Sequence, residues 1–167
     1  NNFEPNLIKC QEKNTTIIYR NYSKSNNSEE IKKLKNFCRK NGYKLVLSNN
    51  VKLALKLGLN GAYLPSFNEK YEHLSYSLKK NFVLLGSAHN LRDIEIKKKQ
   101  KVHRIFLSSI FKKNKNYLGI NKFKIYIKNY ENKFVALGGI SMRNLRKMKL
   151  INIIGFAGIS FFKKKGP

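Results

Sequence analysis

Short apolar runs alternate with stretches of helical periodicity along the whole chain. Seven runs of four or five residues predict strands at 15–19, 44–47, 61–64, 82–85, 104–107, 134–137 and 153–156. Helical patterns lie between successive strands, at 28–41, 50–57, 71–80, 91–99, 121–129 and 143–150. Strands that are each separated by one helix run parallel to one another, so the pattern predicts one α/β domain over residues 1–167.

The first residues of the chain indicate that one strand precedes the seven predicted ones. Residues 6–13 have a helical pattern, and residues 1–5 are typical of a loop that joins a strand to a helix. A (β/α)₈ TIM barrel needs eight strands. We therefore expect such a barrel, with its first strand upstream of Asn1. The alternative is an open doubly wound sheet, although no G-x-G-x-x-G motif follows the first strand to indicate a dinucleotide site.

Two glycine-containing turns end the last two predicted strands. Gly138-Gly139 follows the sixth run, and Gly158-Ile159-Ser160 follows the seventh. Glycine lets the main chain approach a ligand closely, and free N–H groups suit an anion. In (β/α)₈ barrels the loops after the last two strands commonly bind phosphate. The sequence therefore predicts a phosphate site at these turns, unless Gly138-Gly139 only makes a tight turn.

The net charge is strongly positive. The chain has 35 Lys and Arg against 9 Asp and Glu, which gives a net charge of +26. A charge of this sign suits nucleic acid. The lysines are spread over almost every helical segment, however, and the densest run, at 97–101, is expected to be a solvated helix end. A basic nucleic-acid-associated protein is therefore the less favoured alternative.

Cysteine content and hydropathy indicate a compartment. Cys10 and Cys38 fit no metal-binding spacing and are too few for a disulfide framework, so we expect a reducing cytoplasm. No stretch of about 18 apolar residues predicts a membrane span. The first residues also lack the basic start and apolar segment of a signal peptide.

Six segments in register carry a family resemblance: IIYRNY, GAYLPS, GSAHNL, IFLSSIF, ALGGI and GFAGIS. Over residues 15–162 they resemble the superfamily of thiamine-phosphate synthase and the TenI-like thiazole tautomerases. The synthases join a pyrimidine diphosphate to a thiazole phosphate, with Mg²⁺, at the top of a (β/α)₈ barrel. The resemblance implies a divergent TenI-like member that takes part in thiamine biosynthesis. Its expected ligands are a phosphorylated thiazole or thiamine phosphate, with a phosphorylated pyrimidine as a further partner, and transferase activity is the favoured expectation.

Several positions keep the family's residues. Arg20 stands at the first strand end, the Ser-x-His motif is intact as Ser87-Ala88-His89, and a lysine-rich loop survives at 112–115. The resemblance implies that Arg20 and His89 are catalytic. It also implies a set of substrate-binding residues: Ser87, Lys113, Lys115, Gly138, Gly139, Ile159 and Ser160.

Other positions depart from the family pattern. Ile18 and Tyr22 replace the Gln and Lys of the first strand end, and Ser109 takes the place of the tautomerases' catalytic His. Both family aspartates are amides here, Asn49 and Asn68. An amide oxygen carries no net charge, so it holds Mg²⁺ poorly. We therefore assign no metal ligand, leave Mg²⁺ open as a cofactor, and keep a catalytically inactive binder of a thiamine precursor as an alternative.

Each candidate residue also has a purely structural interpretation. His89 could cap the following helix, and Asn90 could do so equally well. Arg20 could pair with an acid on a neighbouring loop, and the lysines at 112–115 could form a solvated loop. His73 and His103 are expected to be solvated. The sequence leaves homo-oligomerisation open.

Overall fold

The core of the protein is a parallel β-sheet. The computed structural model describes residues 13, 15–21, 28–130, 133–158 and 161. Seven strands lie in the sheet in the order in which they occur in the sequence. They are β1 (Thr16–Tyr19), β2 (Lys44–Ser48), β3 (Gly61–Leu64), β4 (Val83–Ala88), β5 (Arg104–Ser108), β6 (Phe134–Leu137) and β7 (Gly155–Ala157). Each predicted strand is present, with bounds that differ by a few residues at most.

Helices fill most of the connections between the strands. They are α1 (Ser28–Lys40), α2 (Val51–Lys56), α3 (Leu91–Lys99) and α4 (Gly119–Ile127), with 3₁₀ helices at Glu72–Ser75 and Leu145–Leu150. The predicted helix at 6–13 lies outside the described residues except for its last position. Within the described part of the chain, no helix is long and apolar enough to cross a membrane.

The predicted helix at 71–80 is wrong. Only the single 3₁₀ turn Glu72–Ser75 forms there. The segment is organised by side chains, since Nε2 of His73 contacts the carbonyl O of Gln100 at 2.8 Å and Oγ of Ser75 donates to the carbonyl O of Glu72 at 2.7 Å. Such hydrogen bonds compete with helical ones. The pattern at 143–150 likewise forms a 3₁₀ helix and not an α-helix.

The strand order decides between the two predicted architectures. All six neighbouring pairs are parallel and sequential, from β1–β2 to β6–β7. A doubly wound sheet reverses its strand order at a switch point, and no reversal occurs here. The seven strands therefore form a half-barrel of the TIM type. No hydrogen-bond ladder among the described residues joins β7 to β1, and the closed eight-stranded ring stays a prediction.

The two faces of the sheet carry separate apolar clusters. Successive residues of a strand point to opposite faces. On β2, Leu45 and Leu47 belong to the large core that packs against the helices, whereas Val46 lies in a small cluster on the other face. We call this small cluster the inner cluster; its buried members are Val46, Tyr63, Leu85 and Phe106. It fills the concave side of the half-barrel, beneath the edge where the strands end.

Candidate functional site

The carboxyl ends of the strands bring most of the predicted site residues to one edge of the sheet. Arg20 follows β1, Asn49 follows β2, His89 follows β4, and Gly138-Gly139 follows β6. Because all strands are parallel, these positions lie at the same edge. Ile159 and Ser160 lie outside the described residues, so their predicted part in the site stays a prediction.

Buried hydroxyl groups lie between the inner cluster and this edge. A serine stands two residues after each of three members of the inner cluster, Val46, Leu85 and Phe106. Because side chains alternate between the two faces of a strand, each serine lies on the same face as that cluster member. All three serines are at most 6% exposed: Ser48, Ser87 and Ser108. The predicted contact residue Ser87 is thus part of a small polar layer above an apolar floor, and small-molecule sites commonly combine these two kinds of lining.

His89 is held in one orientation at this edge. Its Nδ1 lies 3.0 Å from the carbonyl O of Ser108 and 3.0 Å from Oγ of Ser108. A carbonyl oxygen only accepts, so Nδ1 carries a proton that it donates to Ser108 and Nε2 of the neutral ring is an acceptor. The helix-capping interpretation of His89 is wrong, because Oδ1 of Asn90 accepts from the N–H of Asp93 and caps α3.

Asn49 and Asn68, which the resemblance matches to two aspartates, contact each other. Nδ2 of Asn68 donates to Oδ1 of Asn49 at 2.7 Å, and Oδ1 of Asn68 accepts from the N–H of Lys70 at 3.0 Å. Both amide oxygens are therefore engaged and uncharged. Among the described residues, no group of three or more His, Cys, Asp or Glu side chains could hold a metal ion. These residues do not fit the family's Mg²⁺ site.

The glycine turn after β6 lies directly under the loop that follows β5. Gly138 and Gly139 have φ values of 103° and 74°, which other residues rarely adopt. A Cβ atom on Gly139 would lie 2.6 Å from the backbone N of Lys112. The N–H groups of Phe111 and Lys112 donate to the carbonyl O of Gly138 at 2.9 and 3.2 Å. Glycine is needed here for both the turn and the close approach of the loop.

This loop, residues 109–118, concentrates positive charge above the turn. Lys112, Lys113 and Lys115 are all exposed, and the loop contains no Asp or Glu. Oγ of Ser109 donates to the carbonyl O of Lys112 at 2.9 Å, which fixes the start of the loop. No hydrogen bond from the N–H of Gly139 or Ile140 reaches another described residue. The turn thus has two backbone N–H groups without a partner among the described residues, next to a loop that carries three exposed lysines.

Arg20 lies at the end of β1, whereas His73 and His103 lie away from the carboxyl edge. Arg20 is exposed, and the ion pairs between described residues do not include it. The prediction that His73 is solvated is wrong, because its side chain is only 4% exposed. His103 is exposed, yet its Nδ1 accepts from the N–H of Leu84 at 2.9 Å. Both histidines are structural.

Sequence reasoning missed a buried polar group on α3. Lys97 and Gln100 were expected in a solvated helix end, and both side chains are 0% exposed. They contact the β3 loop, residues 65–71, which carries Asn68. A signal was available, because Lys97 stands three residues after the buried Ile94 and so lies on the same face of the helix.

Comparisons with known proteins agree with this architecture. A family model described as thiamine monophosphate synthase matches residues 7–162. No curated protein sequence matches the chain. Among solved structures, thiamine phosphate pyrophosphorylase from Pyrococcus furiosus is similar with 14% identity and a TM-score of 0.71, over 97% of this chain and 83% of that one. Citrate synthase SbnG is similar with 11% identity and a TM-score of 0.62, over 93% and 82% of the two chains. At these identities the structures show the fold alone.

Proposed function

This chain belongs to the thiamine monophosphate synthase family, and we propose that it acts in thiamine biosynthesis by binding a phosphorylated thiazole or thiamine phosphate. The ligand lies at the carboxyl edge of the strands, above the inner cluster. The observation that carries the proposal is the glycine turn after β6, which lies under a lysine loop free of acidic residues.

The phosphate is assigned to the glycine turn. No described residue accepts from the N–H groups of Gly139 and Ile140, and oriented backbone N–H groups bind anions without a side-chain charge of their own. Lys112, Lys113 and Lys115 add ammonium groups whose hydrogen bonds to phosphate oxygens are charge-assisted. Ile159 and Ser160 of the next turn are proposed to contact the same phosphate.

The ring of the ligand is assigned to the polar layer beside the turn. Nε2 of His89 accepts a hydrogen bond, and the neighbouring hydroxyl of Ser87 can donate or accept one. If both family substrates bind, the diphosphate of the pyrimidine lies toward Arg20, at the other side of the half-barrel. In the synthase reaction the C–O bond between the methylene carbon of the pyrimidine and the diphosphate breaks, and the same carbon bonds to the thiazole nitrogen. Arg20 stabilises the negative charge that develops on the leaving diphosphate.

Turnover and binding separate an enzyme from an inactive binder. We expect calorimetric titration to show that thiazole phosphate binds at least tenfold more tightly than the corresponding alcohol, since one charge-assisted contact contributes about 1.5–3 kcal/mol. Supplying both pyrimidine diphosphate and thiazole phosphate, with and without Mg²⁺, then tests for thiamine phosphate as product. Product identifies a transferase, whereas tight binding without product identifies the binder. Equal affinity for thiazole phosphate and its alcohol would contradict the proposal.

A further inference from the structure

Lys97 of α3 is buried although no proposed ligand contact uses it. The side chain is 0% exposed, in a protein whose other charges are mostly at the surface. Transferring a charge out of water is costly unless it is well hydrogen-bonded. Methionine would fill the same space without that cost. The reason for a lysine at this position must therefore lie in the hydrogen bonds of its ammonium group.

The ammonium group of Lys97 holds the β3 loop. Its Nζ donates to the carbonyl O of Asn68 at 2.7 Å and to Oε1 of Gln100 at 2.8 Å. Nε2 of Gln100 in turn donates to the carbonyl O of Asn68 at 3.0 Å and to that of Lys70 at 2.8 Å. Two side chains at the end of α3 thus hold the loop through the backbone carbonyl groups of two of its residues, Asn68 and Lys70.

The 3₁₀ helix that follows the β3 loop is fixed to the same place. Nε2 of His73 contacts the carbonyl O of Gln100 at 2.8 Å, and both residues are buried. Between Asn68 and His73 the chain is therefore tied at both ends to the carboxyl end of α3. Loops normally run over the surface with few such constraints.

The sheet makes room for the lysine. A Cβ atom on Gly86, which faces the helices from β4, would lie 2.8 Å from Cδ and 3.2 Å from Cγ of Lys97. The aliphatic part of Lys97 thus occupies the space that a side chain at position 86 would need. Burial lowers the pKa of Lys97 to about 8, and the nearby carboxylates of Asp93 and Glu69 partly offset this by raising it. The ammonium group and its neutral form both keep the two donors that these contacts require.

One helix therefore supports two parts of the site. At its start, Oδ2 of Asp93 accepts from the N–H of His89 at 2.9 Å. At its end, Lys97 and Gln100 hold the backbone of Asn68, whose side chain donates to Asn49. We propose that Lys97, together with Gln100, is a positioning residue that places Asn68 and its Asn49 partner at the ligand edge. The inference rests on the proposed function, which assigns the ligand that binds at this edge.

The position of the asparagine pair specifies which ligand depends on it. Asn49 and Asn68 follow β2 and β3, next to Arg20 at the end of β1. The glycine turn follows β6, three strands beyond β3 in the sheet. The pair therefore lies in the half of the edge that we assign to the diphosphate of the pyrimidine. A shift of the β3 loop affects that half and leaves the thiazole phosphate site unchanged.

Titration of the whole protein with two probes tests the inference. Lys97→Met should weaken binding of the pyrimidine diphosphate about tenfold, because displacement of polar groups by about 1 Å is costly for binding and catalysis. It should leave the affinity for thiazole phosphate within about twofold, since distant sites behave independently. Lys99→Met removes an exposed lysine from the same helix and is the matched control, with no expected effect on either probe.

The outcomes separate the inference from the proposed function. An equal loss for both probes would show a merely structural role, and no loss for either would show that Lys97 positions nothing; both overturn the inference. Failure of the unmodified protein to bind either probe would instead overturn the proposed function. If Lys97→Met lacks a native circular dichroism spectrum, Lys97→Gln takes its place. Its amide keeps an N–H donor that falls short of Asn68, so the same selective loss is expected.

Discussion

Gly139→Val should reduce the affinity for thiazole phosphate about a hundredfold and change the affinity for the thiazole alcohol by no more than about threefold. Loss of one to two charge-assisted hydrogen bonds, at about 1.5–3 kcal/mol each, corresponds to a change of that size. The alcohol lacks the phosphate and gains little from this turn. Parallel calorimetric titrations of the two ligands make the measurement.

The expected loss has a direct steric cause. A Cβ atom at position 139 would lie 2.6 Å from the backbone N and 3.0 Å from Cα of Lys112, so the lysine loop has to move away from the turn. The φ of 74° is also strained for valine. Both effects remove N–H donors and ammonium groups from the place that we assign to the phosphate.

A second glycine provides the control. Among the described residues, apart from its chain neighbours, none has an atom within 4 Å of the position that a Cβ on Gly155 of β7 would take, so Gly155→Ala should leave both affinities unchanged. Thermal unfolding of each variant separates loss of the site from loss of the fold. If Gly139→Val weakens the phosphorylated thiazole and the alcohol equally, the phosphate does not bind at the glycine turn.

Asn49→Asp combined with Asn68→Asp should create Mg²⁺-dependent binding of the pyrimidine diphosphate. In the native chain, Nδ2 of Asn68 donates to Oδ1 of Asn49 at 2.7 Å, and the pair has no net charge. Two carboxylates at that separation repel each other and together attract a divalent cation, for which carboxylate oxygens are preferred ligands. We expect Mg²⁺ to raise the diphosphate affinity of the double variant at least about tenfold and that of the native protein by less than about twofold.

The added negative charge itself needs a control, since the protein has a net charge of +26. Asn129→Asp with Asn152→Asp adds the same charge at two exposed positions outside the carboxyl edge. This variant should show no Mg²⁺ dependence. Asn49 has a φ of 61°, which aspartate tolerates nearly as well as asparagine, so the double variant should keep its backbone. Strong Mg²⁺-dependent diphosphate binding by the native protein would show that other groups form a metal site.

The sheet could be predicted because its signal is local. Each strand is a short apolar run, and the runs at 61–64 and 134–137 coincide with β3 and β6. The glycine pair at 138–139 and the Ser-x-His motif were also visible as strand ends followed by turn residues. The parallel direction of the strands follows from their alternation with helices, and the structure confirms it. Their sequential order was expected only with the barrel, and the observed order excludes the doubly wound sheet.

The supporting contacts behind the edge could not be predicted in the same way. The segment at 71–80 has apolar residues at helical spacing, yet the burial of His73 against Gln100 determines its conformation. Lys97 lies in a run of lysines whose sequence is typical of a solvated helix end. Its burial depends on Gly86 of a different strand and on carbonyl groups of the β3 loop. The helical spacing from Ile94 indicates which face of α3 carries Lys97. Its contact partners lie far apart in sequence, so no local pattern indicates them.

We infer that the glycine turn under the lysine loop binds the phosphate of a thiazole ligand. An experimental structure of the protein with thiazole phosphate tests it most directly. We expect the phosphate oxygens within hydrogen-bond distance of the N–H groups of Gly139 and Ile140, about 2.7–3.2 Å between heavy atoms, with the thiazole ring toward His89. If the phosphate binds elsewhere and only the lysine loop contacts the glycine turn, the assignment of the phosphate to this turn is wrong.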